Sequence, residues 1–292
     1  MIMKNKILGC ILLAATITAC NNNKETASTT SGDSLVMQDI VWDSTAPAGM
    51  SELQIPSGAN KLQGFIYKPN GKAKHPTLLM LHGYPGNEKN LDLAQAVRAH
   101  GWNVIYFDYS GSWASTGEFS FRQCVEDVKN VVAFCKKYSD SLKIDTARMA
   151  LFGHSMGGWV GLKSLQIPEI KKGFVLSTWN IYGDVVYSAS KNKMNEKEKE
   201  ADDYFVLNKK SGKELFAAVM RDTAFHNLVH DGPALQNKEI IMLDEHPYNK
   251  VIADSLKIYN KASFEYEVWK TDHPFTNKRI SLIKKVIAFL DK

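Results

Sequence analysis

Cysteine is scarce in this chain: Cys10, Cys20, Cys124 and Cys135 are the only four among 292 residues. So few thiols exclude a disulfide-stapled scaffold, which a chain of this length does not need, because it can bury roughly 75% of its unfolded surface in a core of its own. Long apolar stretches are also missing, and the run at residues 7–19 falls short of the roughly 20 residues that a membrane-spanning helix requires. Charge of one sign is not in excess: 36 basic against 31 acidic residues leave a formal +5. No Lys and Arg cluster is interleaved with aromatics, which argues against a nucleic-acid partner. With 44% hydrophobic and 23% charged residues, neither disorder nor a collagen-like repeat is expected.

What is present begins with an address. Lys4 and Lys6 precede the apolar run at 7–19, and Ile17-Thr18-Ala19-Cys20 closes it with small residues before a cysteine. The segment resembles the lipobox of bacterial lipoproteins. That resemblance implies a signal peptide over 1–19, lipidation of Cys20, and a bacterial envelope protein whose one membrane attachment is that lipid. Removing residues 1–19 takes away two lysines and no acids, leaving a charge of +3. Residues 20–34 are polar and read as a flexible tether, so the folded domain is expected over 35–292.

From there the pattern alternates. Short apolar runs predict strands at about 61–68, 76–81, 102–108, 147–152, 173–177, 239–243 and 264–269, with helices at about 88–100, 120–138, 156–166, 249–260 and 276–291. Such alternation implies an α/β fold with a mostly parallel, doubly wound sheet. Cys124 and Cys135 share one predicted helix about 16 Å apart and cannot pair. Residues 179–238 contain no convincing strand and are too long for a bare loop, so they are expected to form a helical cap, with helical composition from Asn195 to Phe205 and from Gly212 to Met220. Within it, the run 191–200 has four Lys and three Glu and reads as a solvated face. Trp179, Tyr182, Tyr187, Tyr204, Phe205, Phe216 and Phe225 are expected to build the cap core or line a pocket.

Gly153-His154-Ser155-Met156-Gly157 matches G-x-S-x-G, between an apolar strand and a glycine-rich helix start. A serine raised on such a turn sits beside a helix N-terminus that can stabilise an oxyanion. Upstream, His82-Gly83-Tyr84-Pro85-Gly86 follows a strand, and the backbone N–H of Tyr84 with that of Met156 would form an oxyanion hole. His82 is expected to brace this loop. The serine needs a base, and His273 follows the last strand. The acid should follow the strand at 239–243, where Asp244 is favoured, Glu245 is the alternative, and Asp184 comes third. His226 and His230 lack the intervening Glu of a zinc hydrolase, so neither metal nor cofactor is expected.

These segments, with Asp108-Tyr109-Ser110-Gly111-Ser112-Trp113 and Thr271-Asp272-His273-Pro274-Phe275, resemble the α/β-hydrolase superfamily over about residues 50–291. The resemblance implies a cap between the sixth and seventh strands and a serine hydrolase acting on a small-molecule ester or similar acyl bond. An aminopeptidase or acyl-peptidase activity is the alternative, as is a non-catalytic binding lipoprotein of the same fold. The chain departs from the family in one place: Leu243-Asp244-Glu245-His246-Pro247 replaces the usual Gly-x-x-Asp turn.

Overall fold

The structure is a computed structural model describing residues 39–260 and 263–292. The expected signal peptide, Cys20 and the tether lie outside the described residues. Eight strands form one sheet: β1 (Gly49–Ser57), β2 (Asn60–Lys68), β3 (His75–Leu81), β4 (Asn103–Phe107), β5 (Ile144–His154), β6 (Ile170–Leu176), β7 (Glu239–Asp244) and β8 (Phe264–Val268). Their spatial order is β1-β2-β4-β3-β5-β6-β7-β8. Strands from β4 to the β8 edge run parallel, while β2 is antiparallel to both β1 and β4.

β1 is absent from the expected strand set, and its composition explains why. It buries only alternate positions, Leu53, Ile55 and Ser57, and carries Pro56, which ordinarily argues against a strand. At the sheet edge a missing backbone N–H is tolerated. Gly58, at φ +58°, then turns the chain directly into β2.

Helices α1 (Leu91–Ala99), α2 (Phe121–Lys137), α3 (Met156–Ser164), α8 (Lys250–Tyr259) and α9 (Arg279–Leu290) cover the sheet. The central strands are buried on both sides, so alternate residues feed two cores. Leu79, Leu81 and Leu151 join α2 and α3, while Leu78, Met80 and Phe152 join α1 and α9. α2 starts where the Ser120 hydroxyl accepts from the Gln123 N–H, 3.2 Å. Its apolar face, including Phe121, Cys124, Val128 and Cys135, is fully turned to the core. Both cysteines are free, and burial pushes the Cys135 thiol up to about 12.

Between β6 and β7 lie α4 (Ile181–Ser190), α5 (Met194–Asp203), α6 (Gly212–Arg221) and α7 (Thr223–His226), followed by 3-10 turns at Leu228–His230 and Gly232–Leu235. This is the helical cap. α4 is rich in β-branched residues and has a glycine near its start, so propensity conceals it. Its signal is the cap: the Asn180 side chain accepts from the Gly183 N–H, and Asp184 sits in the first turn. The charged run at 191–200 is not wholly solvated, because Lys197 turns inward to Asp184, 2.7 Å. Among the described residues no helix is long and apolar enough to cross a membrane.

Candidate active site

Ser155 sits where β5 meets α3, at φ 59° and ψ −119°, a left-handed conformation that serine rarely adopts. The surrounding backbone over-determines it. The Ser155 N–H donates to Leu176 O at 2.9 Å, and its carbonyl accepts from Trp179 N–H at 3.0 Å, so the end of β6 and the segment after it grip the turn. The flanking glycines are required for space. A Cβ on Gly153 would stand 2.1 Å from Gly157 O, and one on Gly157 would stand 1.9 Å from Leu81 O. The β3 terminus therefore packs directly on the serine turn. A Cβ on Gly83 would meet Ser155 Cβ at 3.1 Å, which puts the Gly83-Tyr84 backbone beside the hydroxyl.

Met156 opens α3, so its N–H has no intrahelical partner and belongs to the positive end of the helix. Tyr84 and Met156 thus flank Ser155 from two separate turns. His82 does not reach the hydroxyl. It is buried, its Nδ1 lies 2.7 Å from Gly83 O, and burial lowers its pKa to about 4, so it braces the loop as a neutral ring.

His273 follows β8 and is half exposed, with its ring in the cavity that also contains Ser155. No direct hydrogen bond joins the Ser155 hydroxyl to the His273 imidazole. The carboxylate on its other ring nitrogen belongs to Glu245: His273 Nδ1 to Glu245 Oε1 is 2.8 Å. This corrects the expectation of Asp244. Asp244 is the last residue of β7 and Glu245 follows it; their side chains diverge, and that of Asp244 is buried. It accepts from Thr178 N–H at 3.2 Å and from Asn249 Nδ2 at 3.1 Å. Burial raises Asp244 to about 6. Burial would also raise Glu245, but hydrogen bonds from His273 and Ser177 outweigh it and hold that carboxyl at about 2. Asp184 is engaged elsewhere, accepting from Trp179 Nε1 and Lys197 Nζ, both at 2.7 Å.

Sequence reasoning missed Ser177. Its hydroxyl donates to Glu245 Oε2 at 2.5 Å, so the carboxylate is held at both oxygens. Nothing in a lone serine after a strand marks it.

The cavity has a volume of about 850 Å³. Ser155, Asp244, Glu245 and His273 line it, and Trp179, Tyr187, Tyr204 and Phe216 contribute from the cap. Tyr182 and Phe225 do not line it, and Phe205 is 96% exposed. Lys197 lies over the Trp179 and Phe216 rings at 5.5 and 5.3 Å, so the cap wall combines aromatic rings with the Lys197–Asp184 ion pair and the Glu200 carboxylate. Elsewhere, His226 and His230 belong to different short elements, and His226 Nδ1 contacts Asp222 O at 2.8 Å. Among the described residues no group of His, Cys, Asp and Glu is arranged to hold a metal.

A sheet of this order, with helices on both faces and a serine turn after the fifth strand, is that of an α/β-hydrolase. Residues 72–241 match the model of the family described as serine aminopeptidase, S33, and since that is more than half of the chain, the protein belongs to this family. Among its relatives is an uncharacterized 31.7 kDa protein in the traX-finO intergenic region of Escherichia coli, 31% identical over 164 residues, covering 52% of this chain and 55% of that one. The chain thus spans about half the length of the sequence relatives it matches. Among solved structures, the Pyrococcus furiosus esterase Pf2001 superposes with a TM-score of 0.59 at 18% identity, covering 87% of this chain and 98% of that one. Brefeldin A esterase, a bacterial homologue of human hormone-sensitive lipase, superposes with a TM-score of 0.60 at 16% identity, covering 89% and 81%. At such identities the likeness is one of fold.

Proposed function

We propose that this hydrolase is a serine esterase that cleaves a small-molecule carboxylic ester through an acyl-enzyme, with Ser155 as nucleophile, His273 as base and Glu245 as the acid. The observation that carries the reading is the Glu245–His273 hydrogen bond at the edge of the cavity that holds the strained Ser155 turn. In this mechanism Ser155 Oγ attacks the carbonyl carbon while its proton passes to His273 Nε2. The N–H groups of Tyr84 and Met156 hold the tetrahedral oxyanion. His273 Nδ1–H donates to Glu245 Oε1, which orients the ring and stabilises the imidazolium. Nε2–H then protonates the departing alcohol, and water repeats the sequence to release the acid. The serine and the imidazole need not be hydrogen-bonded before substrate arrives, since such contacts often tighten only in the Michaelis complex.

The cap's aromatic wall fits an apolar acyl or alcohol portion, and its closure over the site would exclude water. Two structural neighbours, Pf2001 and brefeldin A esterase, are esterases, which agrees with this substrate class. A fluorophosphonate probe tests the nucleophile: it should label the purified protein at Ser155, and a folded, unlabelled protein rejects the mechanism.

A second reading, hydrolysis of an amide in a peptide-like substrate, is favoured by the family description and by the Glu200 carboxylate in the cavity wall. Comparing p-nitrophenyl esters with aminoacyl p-nitroanilides separates the two. The protein is further read as a bacterial envelope lipoprotein tethered through Cys20, supported by the charge, apolar run and small residues of the first twenty positions.

A further inference from the structure

We propose that His154, the variable residue of the Gly153-His154-Ser155-Met156-Gly157 motif, is a positioning residue that holds the His273 loop over Ser155 through the loop's backbone. The inference rests on the serine mechanism above. His154 Nε2 lies 3.0 Å from the carbonyl oxygen of His273 itself, and the two rings are 4.9 Å apart, centroid to centroid. A carbonyl can only accept, so the proton of the neutral ring is on Nε2. That leaves Nδ1 as an acceptor, and Asn90 Nδ2 lies 3.3 Å from it.

The chain of donors continues without a conflict. Asn90 Oδ1 accepts from Arg279 at 3.0 Å, and the same guanidinium nitrogen donates to Pro274 O at 3.0 Å. Arg279 is itself clamped by both oxygens of Asp92, at 2.8 and 2.5 Å. Two successive carbonyls of the loop, those of His273 and Pro274, are therefore held by His154 and Arg279. Residues from β5, α1 and α9 converge on one short segment. Burial keeps His154 uncharged, lowering its pKa to about 4, so its tautomer and its donor persist across the neutral range.

The arrangement gives the motif two functions in adjacent residues. Ser155 provides the reacting oxygen, while His154, on the opposite side of the strand, fixes the loop that carries the base. Mutual placement is what such a device controls, and a displacement of about 1 Å can cost on the order of 100-fold in rate.

The test uses the whole purified protein, p-nitrophenyl acetate and a fluorophosphonate. His154→Phe preserves an aromatic ring but removes the donor, whereas His154→Gln retains an N–H that can reach a carbonyl. His154→Phe is expected to lower kcat by about 10- to 100-fold with KM within about twofold, and to slow Ser155 labelling in parallel. His154→Gln is expected to recover part of the loss. Asn90 has φ 53°, which glycine accepts, so Asn90→Gly removes the support behind His154 without backbone strain and should lower kcat by a smaller factor. If His154→Phe does not fold, Asn90→Gly carries the same two measurements. Wild-type kcat and labelling rate in the folded variants, a loss confined to KM, or a Gln variant no better than Phe overturns the positioning role. An unlabelled wild-type protein overturns the serine mechanism and this role together.

Discussion

Glu245, and not its neighbour Asp244, is the carboxylate that meets His273, at 2.8 Å from Nδ1. Asp244 closes the strand and Glu245 follows it, yet Glu245 meets the imidazole while Asp244 is held by the Thr178 N–H and the Asn249 amide. Their predicted mutational signatures differ accordingly. Glu245→Gln should lower kcat on the order of 10²- to 10⁴-fold while the protein remains folded. Asp244→Asn should leave kcat within about tenfold. Steady-state ester hydrolysis by the two variants decides the matter, and a larger loss in Asp244→Asn would remove Glu245 from the mechanism.

The same pair should also shape stability against pH with opposite signs. The depressed carboxyl of Glu245 contributes stability that is present above its ordinary value of 4.5 and is lost as pH falls toward 2. Asp244 is raised to about 6, so its ionisation opposes folding as pH rises from 3.8 through 6, and that loss is restored on acidification. Denaturation midpoints measured from pH 2.5 to 7 should show a weaker acid-side decline in Glu245→Gln and a weaker loss between pH 4 and 6 in Asp244→Asn. Profiles parallel to wild type in both variants contradict the assignment.

Ser155→Ala should reduce turnover of short p-nitrophenyl esters by at least about 10⁴-fold and abolish fluorophosphonate labelling. The Ser155 side chain makes no capping hydrogen bond, so the thermal midpoint should stay close to wild type. Substantial residual turnover means that another group is the nucleophile.

Steric space around the serine turn yields a paired glycine prediction. A Cβ on Gly157 would meet the Leu81 carbonyl at 1.9 Å, and neither backbone can yield without moving the turn. Gly157→Ala should therefore destabilise by roughly 2 kcal/mol or more and remove activity. At Gly161, one turn further along α3, the nearest atom is Val175 Cγ1 at 3.3 Å, and Gly161→Ala should be tolerated. Equal effects in thermal melts and ester assays would refute the contact argument.

Lys163 and Asp231 tie α3 to the end of the cap through a buried ion pair of 2.8 and 3.0 Å. Removing one partner strands the other charge, so Asp231→Asn should cost about 3 kcal/mol in chemical denaturation. Replacing both residues with Met and Leu should recover most of that loss. A double variant no more stable than the single one would show that the pair is not what the segment depends on.

For localisation, Cys20→Ser should release the protein from the membrane fraction of an expressing bacterium. Unchanged partition, followed by blotting of membrane and soluble fractions, would dismiss the lipid anchor.

The parallel core was legible because its strands are buried on both faces and read as continuous apolar runs, as in Leu78 to Leu81 and Ala150 to Phe152. β1 was not, since an antiparallel edge strand buries every second residue and tolerates Pro56. α4 was hidden for a related reason: its stability comes from packing against the other cap helices, which intrinsic propensity does not report.

The serine turn could be located from sequence because its steric demand falls on the local backbone and so dictates glycines at set spacings around Ser155. The family, too, is written in contiguous motifs. Which carboxylate meets His273 was decided only in three dimensions. Asp244 and Glu245 are chemically equivalent and adjacent in the chain, and the strand's alternation sends one toward Thr178 and Asn249 and the other toward Ser177 and His273. The contact between His154 and the His273 carbonyl likewise links residues 119 positions apart, a separation that no local pattern encodes.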